Sequence, residues 1–195
     1  MERDPMRYLG LLTIPLVVLL CDGMTLVAQE SGAVKPEAAW DVLRMDVGSW
    51  DVEIKTWAGP GEPTVTQGKE TNRMLGEHWL LTDFQGNMMG LEFSGHGTYS
   101  YDEEKKQYFG TWIDSLSPGE MEMIGKHDPA KQTMVYEGMA PGPDGKLAKH
   151  VIATTYKHDG TRVMTMHMQS GEDMIKIFEM TYTKATGMSA SNSSK

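Results

Sequence analysis

One cysteine, Cys21, is all the thiol that this 195-residue sequence contains. It precedes the point after Ala28 where a leader is expected to be cut, so the mature chain is expected to hold none. Disulfides and thiolate nucleophiles are then excluded from it. Basic residues are also scarce, 18 Lys and Arg against 27 Asp and Glu for a net charge of −9, and they form no cluster. Nucleic acid is held by concentrated positive charge, so it is not an expected partner. The same acidity disfavours docking on anionic lipid. Long apolar runs are missing too: the longest, residues 8–21, has 14 residues, short of the roughly 20 that cross a hydrocarbon core. No stable membrane insertion is expected once that run is removed. There is no His-Glu-x-x-His, no phosphate loop, no Gly-x-Gly-x-x-Gly opening a helix and no Gly-x-Ser-x-Gly, which leaves the common metalloprotease, nucleotide and serine-hydrolase chemistries without their usual residues.

What is present begins with that apolar run. Arg3 and Arg7 flank it, and small Ala28 follows at a distance that suits a secretory signal peptide. Ala33 is a second candidate cleavage point. Glu2 and Asp4 are unusual in such a basic flank, and Met6-Arg7-Tyr8 offers an alternative start without them. Val18-Leu19-Leu20-Cys21 is a weak lipoprotein box, because Leu20 stands where a small residue is needed; the ordinary signal reading accounts for the same residues. The expected organisation is a signal peptide over 1–28, a linker over 29–35, one domain over 36–184 and a small, polar tail over 185–195. The expected location is exported, periplasmic or extracellular.

Residues 36–45 fit one helix, with Pro36 in its first turn, Ala39, Val42 and Leu43 on one face and Trp40 at the edge. Gly48 ends it. From Ser49 the period becomes two: Trp50, Val52 and Ile54 alternate with Asp51, Glu53 and Lys55. Further alternating segments follow, over 64–74, 78–84, 91–101, 107–114, 120–126, 132–138, 147–157, 161–169 and 173–183. Turn chemistry such as Pro141-Gly142-Pro143-Asp144-Gly145 and His158-Asp159-Gly160 separates them, and residues 85–90 read as loop. About ten short strands in succession, with no room for crossover helices, predict an all-β protein, a sandwich or an antiparallel up-and-down barrel. Gly95 and Gly97 inside a strand suit the close approaches a barrel requires.

Gly48-Ser49-Trp50, opening the first strand after a short helix, resembles the Gly-x-Trp signature of lipocalins and other calycins. Asn72-Arg73-Met74-Leu75-Gly76, Gln85-Gly86-Asn87-Met88-Met89-Gly90, Gly97-Thr98-Tyr99-Ser100-Tyr101-Asp102, Gly110-Thr111-Trp112-Ile113-Asp114-Ser115 and Glu179-Met180-Thr181-Tyr182-Thr183 together resemble the family called domain of unknown function 1579. The resemblance covers about residues 38–184. It implies a lipocalin-like barrel of about ten strands with one short N-terminal helix, often exported, and carries no established activity.

The candidate chemistry is modest. Strand parity puts Tyr108, Gly110, Trp112 and Asp114 on one face, where Asp114 beside Trp112 can line a cavity mouth and Arg73 can pair with it. The plainer reading is a structural ion pair closing the barrel end. Asp114 with Glu179, or with a histidine, is a possible acid/base pair for a hydrolase- or isomerase-like reaction; solvated or paired carboxylates are the plainer alternative. Lys176 lies near Glu179 on the opposite parity. Met is abundant, at 17 residues, and Met164, Met166 and Met168 share one strand face. Aligned thioethers either line a deformable apolar cavity or, in an exported protein, bind Cu(I). None of the six histidines pairs at ligand spacing on a helix; a single inward one would suit haem, as in related haem-binding barrels. The expectation is a binding module without a cofactor of its own, holding an apolar or amphipathic small molecule among Trp50, Arg73, Trp112, Asp114, Met164, Met166, Met168 and Glu179. Enzyme and Cu(I)- or haem-binding functions stand as alternatives.

Overall fold

The structure, a computed structural model, describes residues 36–186. The expected signal peptide and linker, and tail residues 187–195, lie outside the described residues. The elements in chain order are α1 (Pro36–Arg44), β1 (Gly48–Thr56), β2 (Thr64–Leu75), β3 (Trp79–Met88), β4 (Leu91–Asp102), β5 (Gln107–Asp114), β6 (Met121–Asp128), β7 (Thr133–Pro141), β8 (Leu147–Tyr156), β9 (Arg162–Ser170) and β10 (Asp173–Lys184). Each strand pairs antiparallel with its neighbours in sequence. β1 also pairs with β10, from Trp50 opposite Lys184 to Thr56 opposite Phe178, so the sheet closes into a barrel. Closure leaves no unpaired strand edge. It also sends the connections alternately to two ends: the β1–β2, β3–β4, β5–β6, β7–β8 and β9–β10 turns to one, and the remaining turns, with α1, to the other.

Alternation explains the wall. Trp50, Val52, Ile54 and Thr56 of β1 are buried while Asp51, Glu53 and Lys55 between them are partly exposed, the pattern of a strand with one face to the interior. Three of the turns at the helix end share one device. Asp102, Asp128 and Asp159 each accept backbone N–H bonds from residues two or three positions on, at 2.9–3.1 Å, an Asx turn that aims the chain back into the next strand.

The expected loop over 85–90 is strand for most of its length. Gln85, Gly86 and Asn87 pair with Ser94, Phe93 and Glu92, and only Met89 and Gly90 turn, both at positive φ (54° and 88°). A two-residue turn of that hand matches the twist of a hairpin. The polar, glycine-bearing composition that reads as loop is here the outward row and a close contact: a Cβ on Gly86 would lie 2.9 Å from the Gly68 Cα of β2.

Glycine also makes room for interior rings. A Cβ on Gly110 would meet Tyr99 Cδ1 at 2.4 Å and the backbone oxygen of Thr98 at 2.7 Å. Because one of those atoms is backbone, it cannot rotate away. Gly110→Ala is expected to lower the unfolding free energy by about 1–3 kcal/mol, the usual cost of overpacking; urea unfolding followed by tryptophan fluorescence measures it.

Helix α1 plugs one end. Ala39, Trp40, Val42 and Leu43 are buried and pack in one cluster with Leu80, Tyr108 and Tyr136. Tyr108 donates its hydroxyl proton to the Ala39 carbonyl at 3.0 Å, and the Trp40 and His78 rings meet edge to face at 4.6 Å. Gly48 then turns the chain into β1 at φ 126°, a conformation open to glycine and strained for other residues.

Candidate functional site: a deep cavity over a buried ionic floor

The interior holds a cavity of about 1230 Å³. It runs from Leu43 and Asp46 at the helix end to Ile175 of β10 and to Gly59, Met89, Ser117 and Gly142 in the turns of the opposite end, where it opens. Eight strands enclose an interior just wide enough for side chains or one small ligand, and diameter grows with strand number. Ten strands with glycine at Gly68, Gly86, Gly95, Gly110 and Gly138 therefore leave a lumen.

Its floor is polar. Arg162 opens β9 and points inward at 5% exposure. Its Nη1 donates to Asp46 Oδ1 and its Nη2 to Glu70 Oε1. The guanidinium lies 4.4 Å from the centre of the Trp50 ring and 4.2 Å from that of Tyr182, a cation–π arrangement on both. Asp46 Oδ2 accepts the Tyr156 hydroxyl at 3.1 Å, and Asn72 Nδ2 donates to Glu70 Oε1 at 2.7 Å and to the Asp46 carbonyl at 2.9 Å. Trp50 Nε1 reaches that carbonyl at 2.8 Å. The floor thus ties the α1–β1 connection to β1, β2, β8 and β9.

One cation here faces two carboxylates. Burial opposes the charge on Arg162, but Asp46 and Glu70 outweigh it and hold its pKa above the ordinary value. Burial raises the Glu70 carboxyl, against the pull of Arg162 and Asn72. Burial also raises Tyr99, Tyr136, Tyr156 and Tyr182, helped by the neighbouring carboxylates. These phenols are hydrogen-bond donors at neutral pH. The Tyr136 hydroxyl, on the cavity lining, has no hydrogen-bond partner among the described residues.

The walls are apolar. Phe84, Phe93, Trp112, Met164, Met166 and Met168 all line the cavity, which places the three β9 methionines inward as a set. Trp112 Nε1 donates to Asp114 Oδ2 at 3.2 Å, and Asp114 Oδ1 takes the Leu116 N–H at 2.9 Å. Asp114 is therefore a turn-starting carboxylate at the cavity's mouth.

Other expected members fall elsewhere. Arg73 is exposed on the outer face, because the inward parity of β2 belongs to Glu70 and Asn72; it does not reach the lining or pair with Asp114. Trp50 is buried beneath Arg162 as part of the floor and does not line the cavity. Glu179 stands outside the lining and pairs with Lys176 at 3.0 Å. That pairing defies a period of two, and a bulge between Lys176 and Phe178 explains it: the extra residue brings two side chains three positions apart to the same side. Asp114 and Glu179 are not brought together as an acid/base pair. Of the histidines, His150 alone among the described residues lines the cavity.

Apart from Trp50, sequence reasoning missed the floor, although a signal was present. Arg162 shares the parity of Met164, Met166 and Met168, and a cation on an otherwise apolar face needs a buried partner.

A closed, helix-plugged antiparallel barrel with a deep interior cavity defines a lipocalin-like barrel protein. The chain belongs to the family described as protein of unknown function (DUF1579), whose model matches residues 35–184. Its structure is similar to the crystal structure of Rv2717c from M. tuberculosis, with a TM-score of 0.55 and 11% identity over 76% of this chain and 98% of that one; this likeness supports the barrel fold. Among curated proteins none matches. Among the described residues no helix is long and apolar enough to cross a membrane.

Proposed function

We propose that this protein is an exported carrier or sensor that holds one amphipathic small molecule inside its barrel. The observation that carries this reading is the cavity of about 1230 Å³, larger than the roughly 300–1,000 Å³ of ordinary ligand sites. It has apolar walls and a few hydroxyl donors at its base. A ligand's apolar body would lie along Phe84, Trp112 and Met166, its burial contributing roughly 25 cal/mol per Å² before the costs of association. Its polar end would accept a hydrogen bond from Tyr136, whose hydroxyl has no partner among the described residues. Export rests on Arg3, Arg7, the apolar run 8–21 and Ala28. N-terminal sequencing of the protein recovered from its host's periplasm or medium is expected to begin at Gln29, and an intact Met1 or Met6 there would overturn that part.

For binding, the neutral fluorophore N-phenyl-1-naphthylamine is expected to brighten on one site per chain. Ile152 and Thr154 line the cavity on β8. The double substitution Ile152→Trp, Thr154→Trp narrows it across its depth and is expected to weaken the fluorophore at least tenfold, about 1.4 kcal/mol. No brightening, together with no co-purified mass in native mass spectrometry of the protein from its own host, would sink the binding reading.

A further inference from the structure

We propose that His150, Met168, Met121 and Met123 form a Cu(I) site in the cavity wall. The argument begins with register. Met123 of β6 lies opposite Gly138 of β7, Gly138 opposite His150 of β8, and His150 opposite Met168 of β9. Four strands therefore present one row of interior positions, in which the residue between Met123 and His150 has no side chain. The methionines use that gap. A Cβ on Gly138 would lie 3.0 Å from Met121 Cγ and 3.0 Å from Met123 Cγ, so both side chains lie over Gly138, on the His150 side of β6. Along the row towards the mouth, Ala140 pairs with Ala148, again two small residues. Met168 extends the same way, its Sδ 3.6 Å from where a Cβ on Gly142 would lie.

His150 is the polar member of this group. It is 95% buried and lines the cavity. Its Nδ1 lies 3.0 Å from the Ala148 carbonyl; an acceptor there makes Nδ1 the donor and leaves the lone pair on Nε2, the tautomer a metal ligand needs. Nε2 has no hydrogen-bond partner among the described residues. An imidazole nitrogen with thioethers on neighbouring inward positions of the same wall is a soft, uncharged donor set, and Cu(I) prefers such ligands where hard cations want carboxylates. Among the described residues no three His, Cys, Asp or Glu side chains converge to hold a metal, so sulfur has to supply the remaining ligands. The site differs from a methionine-lined core in that it includes His150 and involves particular methionines. Met164 is on the same strand and face as Met168 but two inward positions further along, opposite Thr154.

The test uses the full-length chain carrying Cys21→Ser in every arm, so that the lone thiol cannot contribute. Under anaerobic reducing conditions the protein is titrated into the Cu(I)–bicinchoninate complex. One Cu(I) per chain is expected to leave the indicator. His150→Ala is expected to weaken retention at least about 100-fold, and Met168→Leu and Met123→Leu about tenfold each. The near-isosteric Met164→Leu is expected to have no effect. X-ray absorption of the copper-loaded parent is expected to show a mixed nitrogen and sulfur shell, which keeps the proposal testable should His150→Ala fail to fold. It is overturned by no withdrawal of copper, by a sulfur-only shell, by retention unchanged in a folded His150→Ala, or by Met164→Leu weakening binding as much as Met168→Leu. A haemin titration giving a His150-dependent Soret band, with no copper withdrawn, would assign the imidazole to a porphyrin and overturn it as well. The proposal does not rest on the amphipathic ligand, because fluorophore brightening and copper withdrawal are separate readouts.

Discussion

Arg162→Met is expected to lower the unfolding free energy by about 3–5 kcal/mol, a large part of the margin of an ordinary domain. Methionine keeps the length of the stem and loses the charge. Asp46 and Glu70 then face each other in a buried floor with no cation between them. The cost is the desolvated charge left behind rather than the intrinsic worth of the pair, since buried ion pairs replaced whole by apolar groups often leave stability unchanged. The substitution also removes the group stacked on Trp50 and Tyr182, so the Trp50 environment changes with it. Urea unfolding followed by tryptophan fluorescence measures both effects. A loss below about 1 kcal/mol would mean that solvent already reaches the floor and screens its charges, because exposed pairs are worth about that much or less.

The barrel was legible in the sequence because its period is two. Trp50, Val52 and Ile54 against Asp51, Glu53 and Lys55 identify a half-buried strand without any tertiary information, and the inward placement of Met164, Met166 and Met168 follows from the same parity. Residues 85–90 have the composition of a loop and the pairing of a strand: Gly86 and Asn87 look like loop, yet the facing glycine Gly68 lets β2 and β3 approach closely there. Arg73 on its own carries no sign of which way it faces; the parity of its neighbours does. Glu70 and Asn72 hold the inward positions, so Arg73 has to point out. The Lys176–Glu179 pair depends on a bulge that no alternation reveals. The floor depends on Asp46, Glu70 and Arg162, which are far apart in sequence and meet only because β1 closes on β10, bringing β9 round to β2. The sequence held the signal that a cation was buried; its partners required the closure.

The floor and the cavity serve opposite ends. Interior volume left unfilled forfeits packing contacts that a solid core would have. In this barrel the helix end is cross-braced by Arg162, Tyr108 and Trp40, while the interior towards the opposite end stays open. Substitutions deep at the helix end should therefore register as stability, and substitutions from Thr154 towards the mouth as binding. This division also predicts how acidity acts on the protein, through Glu70, the one carboxyl among the described residues whose proton is held abnormally tightly.

Glu70 binds its proton more tightly folded than unfolded, because burial penalises its anion. Below the ordinary carboxylate range both states are protonated and its contribution to stability is fully present. As pH rises above that range the unfolded chain gives up the proton first, and stability falls until the raised folded value has been passed. Asp102, Asp128 and Asp159 act in the opposite sense, since backbone and side-chain hydrogen bonds in their turns hold them low, but they are unchanged by substitution at the floor and cancel from a difference. Glu70→Gln mimics the protonated carboxyl. The gap between the two proteins is therefore expected to be smallest at acidic pH and to move in favour of Glu70→Gln as pH rises, with urea midpoints taken across the acidic to neutral range as the measurement. The same substitution is expected to recover about 1–3 kcal/mol of the loss in Arg162→Met, the coupling typical of contacting members of one network, because it deletes one of the two stranded carboxylates. Additive losses in the double variant, or a pH-independent gap between Glu70→Gln and its parent, would show that Glu70 is well solvated in the folded barrel and uncoupled from Arg162.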